Sequence, residues 1–398
     1  MEINHPNFVL GLDIGSAKIS AVLCEIDASN TLNLRGVGTG ISAGLSRGVI
    51  EDADELQRSI ERAIHRAERA VGVRASCVMT TVPLAGMQFV HHTGFVLSKS
   101  DAGKISQAEK EECLLRSRAI HKAQDQTVMH AIPLSYKIDG APVPNLSNAI
   151  GSNLEIGSHV VLCKEDHLSS LTQVFRGLQL GINGFVYDAL ATAQVLLTFK
   201  ERQDGVVLID IGGRFTKVSL FHNQLLEKAT IVPLGGETIT ADIAQCLGVS
   251  IPEAERLKVG YADLILSRVN PVTTVPIRTL SGDRSDINRS HICRIVEARV
   301  SELFYLVRKQ NPAIFKKGYP IVLGGGGSYL KGMSDYLKLH VHGGIREGLP
   351  EQVSQILENS GYATAVGVVL YGLKTKAVTY HEGDNKGFFG RLGKLFHK

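Results

Sequence analysis

The chain has 398 residues, 44% apolar and 21% charged, ordinary values for a globular protein with room for two domains or more. No apolar run approaches the roughly 20 residues of a membrane span, and the N-terminus, with Glu2, carries no basic-then-apolar leader, so a cytosolic chain is expected. The formal charge is +4, and the stretch from Lys386 onward holds Lys386, Arg391, Lys394 and Lys398 with no acid, so the body is neutral and is not expected to bind nucleic acid. The six cysteines (24, 77, 113, 163, 246, 293) form no C-x-x-C and are expected as buried thiols in a reducing compartment. The histidines show no metal-binding spacing, and His91-His92 fits a polar strand face.

Phe8 to Leu23 opens the chain as an apolar run that reaches Asp13, turns on Gly15-Ser16-Ala17 and leaves through Lys18 as a second apolar run. That pattern predicts two strands and a tight turn whose amides form a concave anion site. Gly15 lets the backbone approach a ligand, Asp13 stands where it could hold a metal-bound water, and Lys18 where it could reach a phosphate. Leu32 to Val37 reads as a strand. Asp52 or Asp54 caps a helix whose apolar stripe is Leu56, Ile60, Ala63, Ile64, Ala67 and Val71. Its other face carries Arg58, Arg62, Arg66 and Arg69 among Glu61 and Glu68 and is expected to be solvated and salt-bridged. Cys77 to Val82 is a further strand.

From about Pro83 to Cys163 the rhythm changes to short strands around one helix, with Ser106 and Glu109 as a capping box. The segment has no phosphate loop and reads as an inserted α+β module suited to contact. His167 to Phe199 is read as helix, strand, helix. Val206 to Phe221 then repeats the opening: an apolar strand ends in Asp210-Ile211-Gly212-Gly213, and Thr216-Lys217-Val218-Ser219 leads out. Two such hairpins imply a duplicated α/β unit that clamps one polyphosphate between its halves. Ile231 to Ala244 runs from a strand through Gly235-Gly236 into a helix, and Leu280 to Lys317 holds a polar loop and a long helix. Arg284, Arg289, Arg294 and Arg299 recur every five residues and so share no helical stripe. Pro320 to Leu323 is a strand, Gly324, Gly325, Gly326 and Gly327 turn the chain, and Ser328 is expected to open a helix with free amides at its start. This stretch has neither the lysine of a P-loop nor a G-x-G-x-x-G.

A polar linker from about Lys374 leads to Lys386–Lys398. There Phe388, Phe389, Leu392, Leu395 and Phe396 fall on one helical stripe, with Arg391, Lys394 and Lys398 opposite. So short a peptide is unfolded in water and suits the headgroup plane of an anionic membrane.

The three loops in this order resemble the actin-like ATPase superfamily. Within it the FtsA cell-division family is similar through nearly the whole chain. The likeness rests also on H-x-I-P…Y-x-I-D-G from His130 to Gly140, G-G-x-x-I-T-x-D-I-A from Gly235, A-E-x-x-K from Ala254, and the closing Tyr362–Gly367. It implies an actin-like α/β fold: two duplicated halves around a nucleotide cleft, an inserted SHS2-like subdomain 1C, and a C-terminal amphipathic membrane helix. The implied boundaries are 1–82, 166–203 and 360–375 for subdomain 1A, 83–165 for 1C, 204–235 and 305–359 for 2A, and 236–304 for 2B, then a linker at 376–385 and the anchor at 386–398. ATP, with Mg2+ held through water by Asp13 and Asp210, would lie against Asp13, Gly15, Ser16, Ala17, Lys18, Asp210, Gly212, Gly213, Thr216, Lys217, Gly235, Gly236, Glu237, Glu255, Lys258, Gly324, Gly325, Gly326 and Ser328. The resemblance further implies a scaffold at the cytoplasmic face of the inner membrane at the septum. It would tether FtsZ filaments by their C-terminal tail at Arg289 and Arg299, meet later division proteins through 1C, and self-associate into actin-like filaments.

One departure bears on chemistry. The family's second hairpin reads D-I-G-G-G-T-T-D, whereas here Arg214 and Phe215 replace a glycine and a threonine, and Lys217 replaces the acid. An ammonium reverses the charge logic of a magnesium site. Weak magnesium dependence and at most a weak ATPase are therefore expected, with Lys217 pairing with Asp13 or Asp210 or touching the γ-phosphate. Two other functions share the fold: a phosphotransferase of the sugar-kinase type, which would need a substrate-side general base that the sequence does not offer, and a PilM-like pilus-assembly adaptor, which would leave the tail unexplained.

Overall fold

The computed structural model describes residues 8–27, 32–46, 48–83, 87–99, 103–349 and 360–375. The expected linker at 376–385 and the tail residues Phe388, Phe389, Arg391, Leu392, Lys394, Leu395 and Phe396 lie outside them.

The first half begins with β1 (Phe8–Ile14), β2 (Lys18–Ile26) and β3 (Leu32–Ile41), a small ribbon of β4 (Leu45–Ser46) and β5 (Val49–Ile50), helix α1 (Ala53–Arg69) and β6 (Cys77–Thr81). An inserted module follows: β7 (Gln88–Leu97), α2 (Gln107–Arg118), β8 (Gln126–Ile138), β9 (Ala141–Val143) and β10 (Asn153–Lys164). The chain returns through α3 (Glu165–Gly177), β11 (Gly181–Val186), α4 (Asp188–Leu196) and α5 (Phe199–Asp204). The second half holds β12 (Val206–Ile211), β13 (Thr216–His222), β14 (Leu225–Val232), α6 (Gly236–Leu247), α7 (Ile251–Tyr261), β15 (Thr274–Arg278), β16 (Arg284–Asn288), α8 (Arg289–Gln310), α9 (Pro312–Lys317), β17 (Ile321–Gly324), α10 (Met333–Lys338) and β18 (Ile345–Glu347). Helix α11 (Ala363–Thr375) follows in the last described segment.

The duplication read from the two hairpins extends to whole sheets. One sheet runs β3-β2-β1-β6-β11 and the other β14-β13-β12-β17-β18. In each, three antiparallel strands are followed by two parallel ones. Parallel neighbours need crossovers, and long excursions supply them: the inserted module with α3 between β6 and β11, and α6 to α9 between β14 and β17.

Helix α1 forms where its stripe demands. Asp52 caps it by accepting the Glu55 amide, and Leu56, Ile60, Ala63, Ile64 and Ala67 bury against the β1–β3 face. Each fully buried Leu or Ile contributes about 1.5–3 kcal/mol. Its other face is only partly as expected, because Glu68 is buried and accepts the Ala75 amide instead of facing solvent. The module's α2 carries the expected capping box of Ser106 and Glu109 and covers its own small core of Val96, Cys113, Leu154 and Ile156. At the other end of the module, His130 on β8 is buried and its Nε2 accepts the Tyr187 amide at 3.0 Å. Burial, with Arg118 adding repulsion, pulls its pKa down to about 4, so the ring is neutral.

Helices α4 and α11 pack together beneath the cleft. They touch so closely that a Cβ at Gly367 would lie 1.9 Å from the Ala191 carbonyl oxygen, which only glycine avoids. One expectation fails on the cysteines: five are buried, but Cys246 on α6 is exposed. No described helix is long and apolar enough to cross a membrane.

Candidate nucleotide cleft

Both hairpins turn in the same way. Gly15 N–H donates to the Lys18 carbonyl and Gly212 N–H to the Phe215 carbonyl. The turns then meet across the cleft, since a Cβ at Gly213 would stand 2.9 Å from Ala17 Cβ. With Gly325 and Gly326 from the third loop they line one cavity, together with Asp13, Ser16, Lys18, Asp188, Asp210, Gly361 and Thr364. The three glycine loops found in the sequence thus converge.

Asp13 is oriented by Thr81 at the end of β6. The Thr81 hydroxyl donates to Asp13 Oδ1 at 3.1 Å and accepts the Ile14 amide at 2.9 Å. Burial raises the Asp13 pKa to about 6, against the pull of Lys217. Lys18 stands at the mouth, its ammonium on the Gly361 carbonyl at 3.0 Å and over the Tyr362 ring; burial lowers its pKa.

The two lysines that matched in sequence are not equivalent. Asp13 faces Ser20 across the first hairpin, whereas Asp210 faces Lys217 across the second. The two turns are equally long, four residues between the Ile14–Ile19 and Ile211–Thr216 pairs, but the second lysine stands two positions further along the chain, so Lys217 enters the ladder while Lys18 ends its turn outside it. Lys217 Nζ sits 2.6 Å from Asp188 Oδ2 and 3.2 Å from Asp210 Oδ2. Burial would pull its pKa down, but the carboxylates of Asp188, Asp210 and Asp13 outweigh burial and hold it well above the usual lysine value.

Asp188 and Thr81 were not anticipated. Asp188 is an acid at the first position of an apolar helix, and in sequence that reads as an ordinary helix start. Its signal was the company it keeps: α4 is otherwise uncharged and almost wholly buried.

The remaining expected residues do not line the cavity. Thr216 Oγ1 donates to the Leu234 carbonyl. The amides of Gly236 and Glu237 at the start of α6 donate to the carbonyls of Gly212 and Gly213, and Gly235 packs onto the same two carbonyls. The Glu237 carboxylate holds the intruding Arg214 at 2.6 Å. Lys258 pairs with Glu255 at 2.7 Å and donates to Thr240 and the Gly236 carbonyl, fastening α7 to α6. Gly324 ends β17, and Ser328 Oγ donates to the Gly325 carbonyl. The helix expected from Ser328 begins later: Gly326–Tyr329 is a 3-10 turn, Gly332 takes a left-handed φ of 84°, and α10 starts at Met333.

Away from the cleft, Arg289 begins α8 and its Nε donates to the Tyr261 carbonyl at 2.7 Å. Arg299 grips both carboxylate oxygens of Asp242 on α6, at 2.5 and 2.8 Å, and Glu302 at 2.5 Å. Both arginines are half-buried and already hold partners within the chain.

Two family models match the chain: "Cell division protein FtsA" over residues 207–367 and "SHS2 domain inserted in FTSA" over residues 85–162. Among curated relatives, cell division protein FtsA of Pseudomonas aeruginosa is 29% identical over 387 residues, covering 94% of this chain and 91% of that protein. FtsA of Escherichia coli K12 is 25% identical over 379 residues, covering 92% and 90%. Among solved structures, a PilM-PilN type IV pilus biogenesis complex superposes with a TM-score of 0.67 at 18% identity, covering 92% of this chain and 98% of that one. MreB5 of Spiroplasma citri bound to ADP gives 0.54 at 14% identity, covering 92% and 96%. These likenesses make the fold actin-like with an inserted SHS2 module.

Proposed function

The chain belongs to the FtsA family of actin-like cell-division scaffolds, and we propose that it holds ATP in its cleft and ties FtsZ filaments to the cytoplasmic membrane at the septum. The observation that carries the nucleotide part is the convergence of the three glycine turns, at Gly15, Gly212-Gly213 and Gly325-Gly326, on one cavity. Backbone amides that close to a ligand suit a polyphosphate. The ADP-bound relative of the same fold supports the reading. Hydrolysis is slow or absent, because the acid that would help position water is Lys217 and the carboxylates nearest it are engaged.

Membrane attachment rests on the amphipathic sequence Lys386–Lys398, which lies outside the described residues. Later division proteins dock on the inserted module, and the two halves stack with those of other copies into filaments. Arg289 and Arg299 receive the acidic FtsZ tail.

Sedimentation with anionic vesicles tests the anchor. The full chain pellets, while a chain ending at Asp384 stays soluble and folded and no longer pellets. Undiminished binding by the shortened chain would refute the anchor.

A further inference from the structure

The fold implies a divalent cation beside the phosphates, but the residues of this cleft do not fit one. Asp13, Asp188 and Asp210 converge at its floor, the acids from which a hydrated magnesium ion would be held. Lys217 already occupies the space between two of them, its Nζ 2.6 Å from Asp188 Oδ2 and 3.2 Å from Asp210 Oδ2. The three side chains are 14%, 6% and 7% exposed. Pulling an ammonium away from two buried carboxylates strands their charge, which makes displacement by a metal costly. A magnesium ion added beside it would meet the repulsion of a fixed positive charge within a few ångströms. Among the described residues no group of three or more His, Cys, Asp or Glu is arranged to hold a metal ion.

The ammonium also does what a bridging metal would do mechanically. Asp188 opens α4, which follows the last strand of the first sheet, while Asp210 and Lys217 lie opposite each other on β12 and β13 of the second. Lys217 therefore joins the two halves at the base of the cleft, and it lines the cavity into which the glycine turns point.

We propose that Lys217, anchored by Asp188 and Asp210, is a tethered counter-cation that replaces the divalent ion, so that the cleft takes up a nucleoside polyphosphate free of metal. This rests on the nucleotide reading above. Lys18 at the mouth supplies a second positive charge.

Calorimetric titration of the full chain with ATP, in excess magnesium and separately in EDTA, tests this. The expected result is the same affinity in both buffers, within about threefold. Affinity that EDTA weakens by about tenfold or more overturns the inference and leaves the nucleotide reading intact. Absence of binding in both buffers overturns the nucleotide reading, and this inference with it. The unmodified protein decides the matter, so the test does not depend on a variant folding. A charge-balanced double variant, Lys217→Met with Asp188→Asn, adds a second arm. If it folds, it should lose binding in EDTA by about tenfold or more, and unchanged affinity there also overturns the proposal.

Discussion

His130 offers a quantitative test of how the inserted module is seated. Its neutral ring accepts the amide of Tyr187, the residue before Asp188, and stands nearly perpendicular to the ring of Tyr371 of α11, at 80°. The ring must stay unprotonated for that hydrogen bond to exist. Its folded pKa is about 4 against an ordinary 6.5, so between those values the unfolded chain binds a proton that the native state refuses. Stability then falls as pH falls through that window. The loss from this one group is about 2 kcal/mol at pH 5 and about 3 kcal/mol near pH 4. His130→Gln keeps an acceptor for the Tyr187 amide but cannot titrate. It should cost about 1–2 kcal/mol at neutral pH through imperfect packing, yet lose about 2 kcal/mol less than the parent between pH 7 and pH 5. Urea unfolding of both proteins at the two pH values, followed by circular dichroism, measures this difference. Parallel pH profiles would show that His130 is protonated in the native state or that the Tyr187 contact does not form, and would refute the reasoning.

Gly367→Ala should cost about 3 kcal/mol or more, because its Cβ has only the Ala191 carbonyl to meet at 1.9 Å and both helices must shift; a midpoint of thermal unfolding unchanged from the parent would contradict this. Arg299→Glu should weaken binding of an FtsZ C-terminal peptide while leaving nucleotide affinity alone, and should also lower stability by about 1–3 kcal/mol, since it sets a third acid beside Asp242 and Glu302. Arg289→Glu, which loses only a bond to a carbonyl, separates the two effects; unaltered peptide affinity in both variants moves the site elsewhere. Because the Asp13 carboxyl titrates near pH 6, nucleotide affinity should rise as pH falls from 8 to 6 more steeply in the parent than in Asp13→Asn; equal slopes would remove Asp13 from the phosphate's surroundings.

What the residues alone determine is local and repetitive. An apolar run ending in Asp-Ile-Gly dictates a strand and a turn by period and by glycine's freedom, whatever surrounds it, and its recurrence at Asp210 announced a second sheet of the same order. The cap at Ser106 was equally legible and that of α1 was narrowed to Asp52 or Asp54, of which Asp52 takes the role, since each depends on atoms three residues apart. The anomaly at Lys217 was legible only against the family resemblance, which implies an acid at that position.

Tertiary structure decided which charges meet. A repeated Lys-β-branched-Ser pattern made Lys18 and Lys217 look alike, but in hairpins of equal turn length the pattern is offset by two positions, which puts Lys217 in the ladder opposite Asp210 and leaves Lys18 at the mouth. The partner of Lys217 was beyond sequence reach for a different reason. Asp188 lies 29 positions away and begins a helix whose place beneath both sheets is set by its packing on α11, more than 160 residues further on. Local pattern follows from short-range sterics and periodicity, whereas the pairing of buried charges follows from where the packed elements bring them, and that is a property of the whole chain.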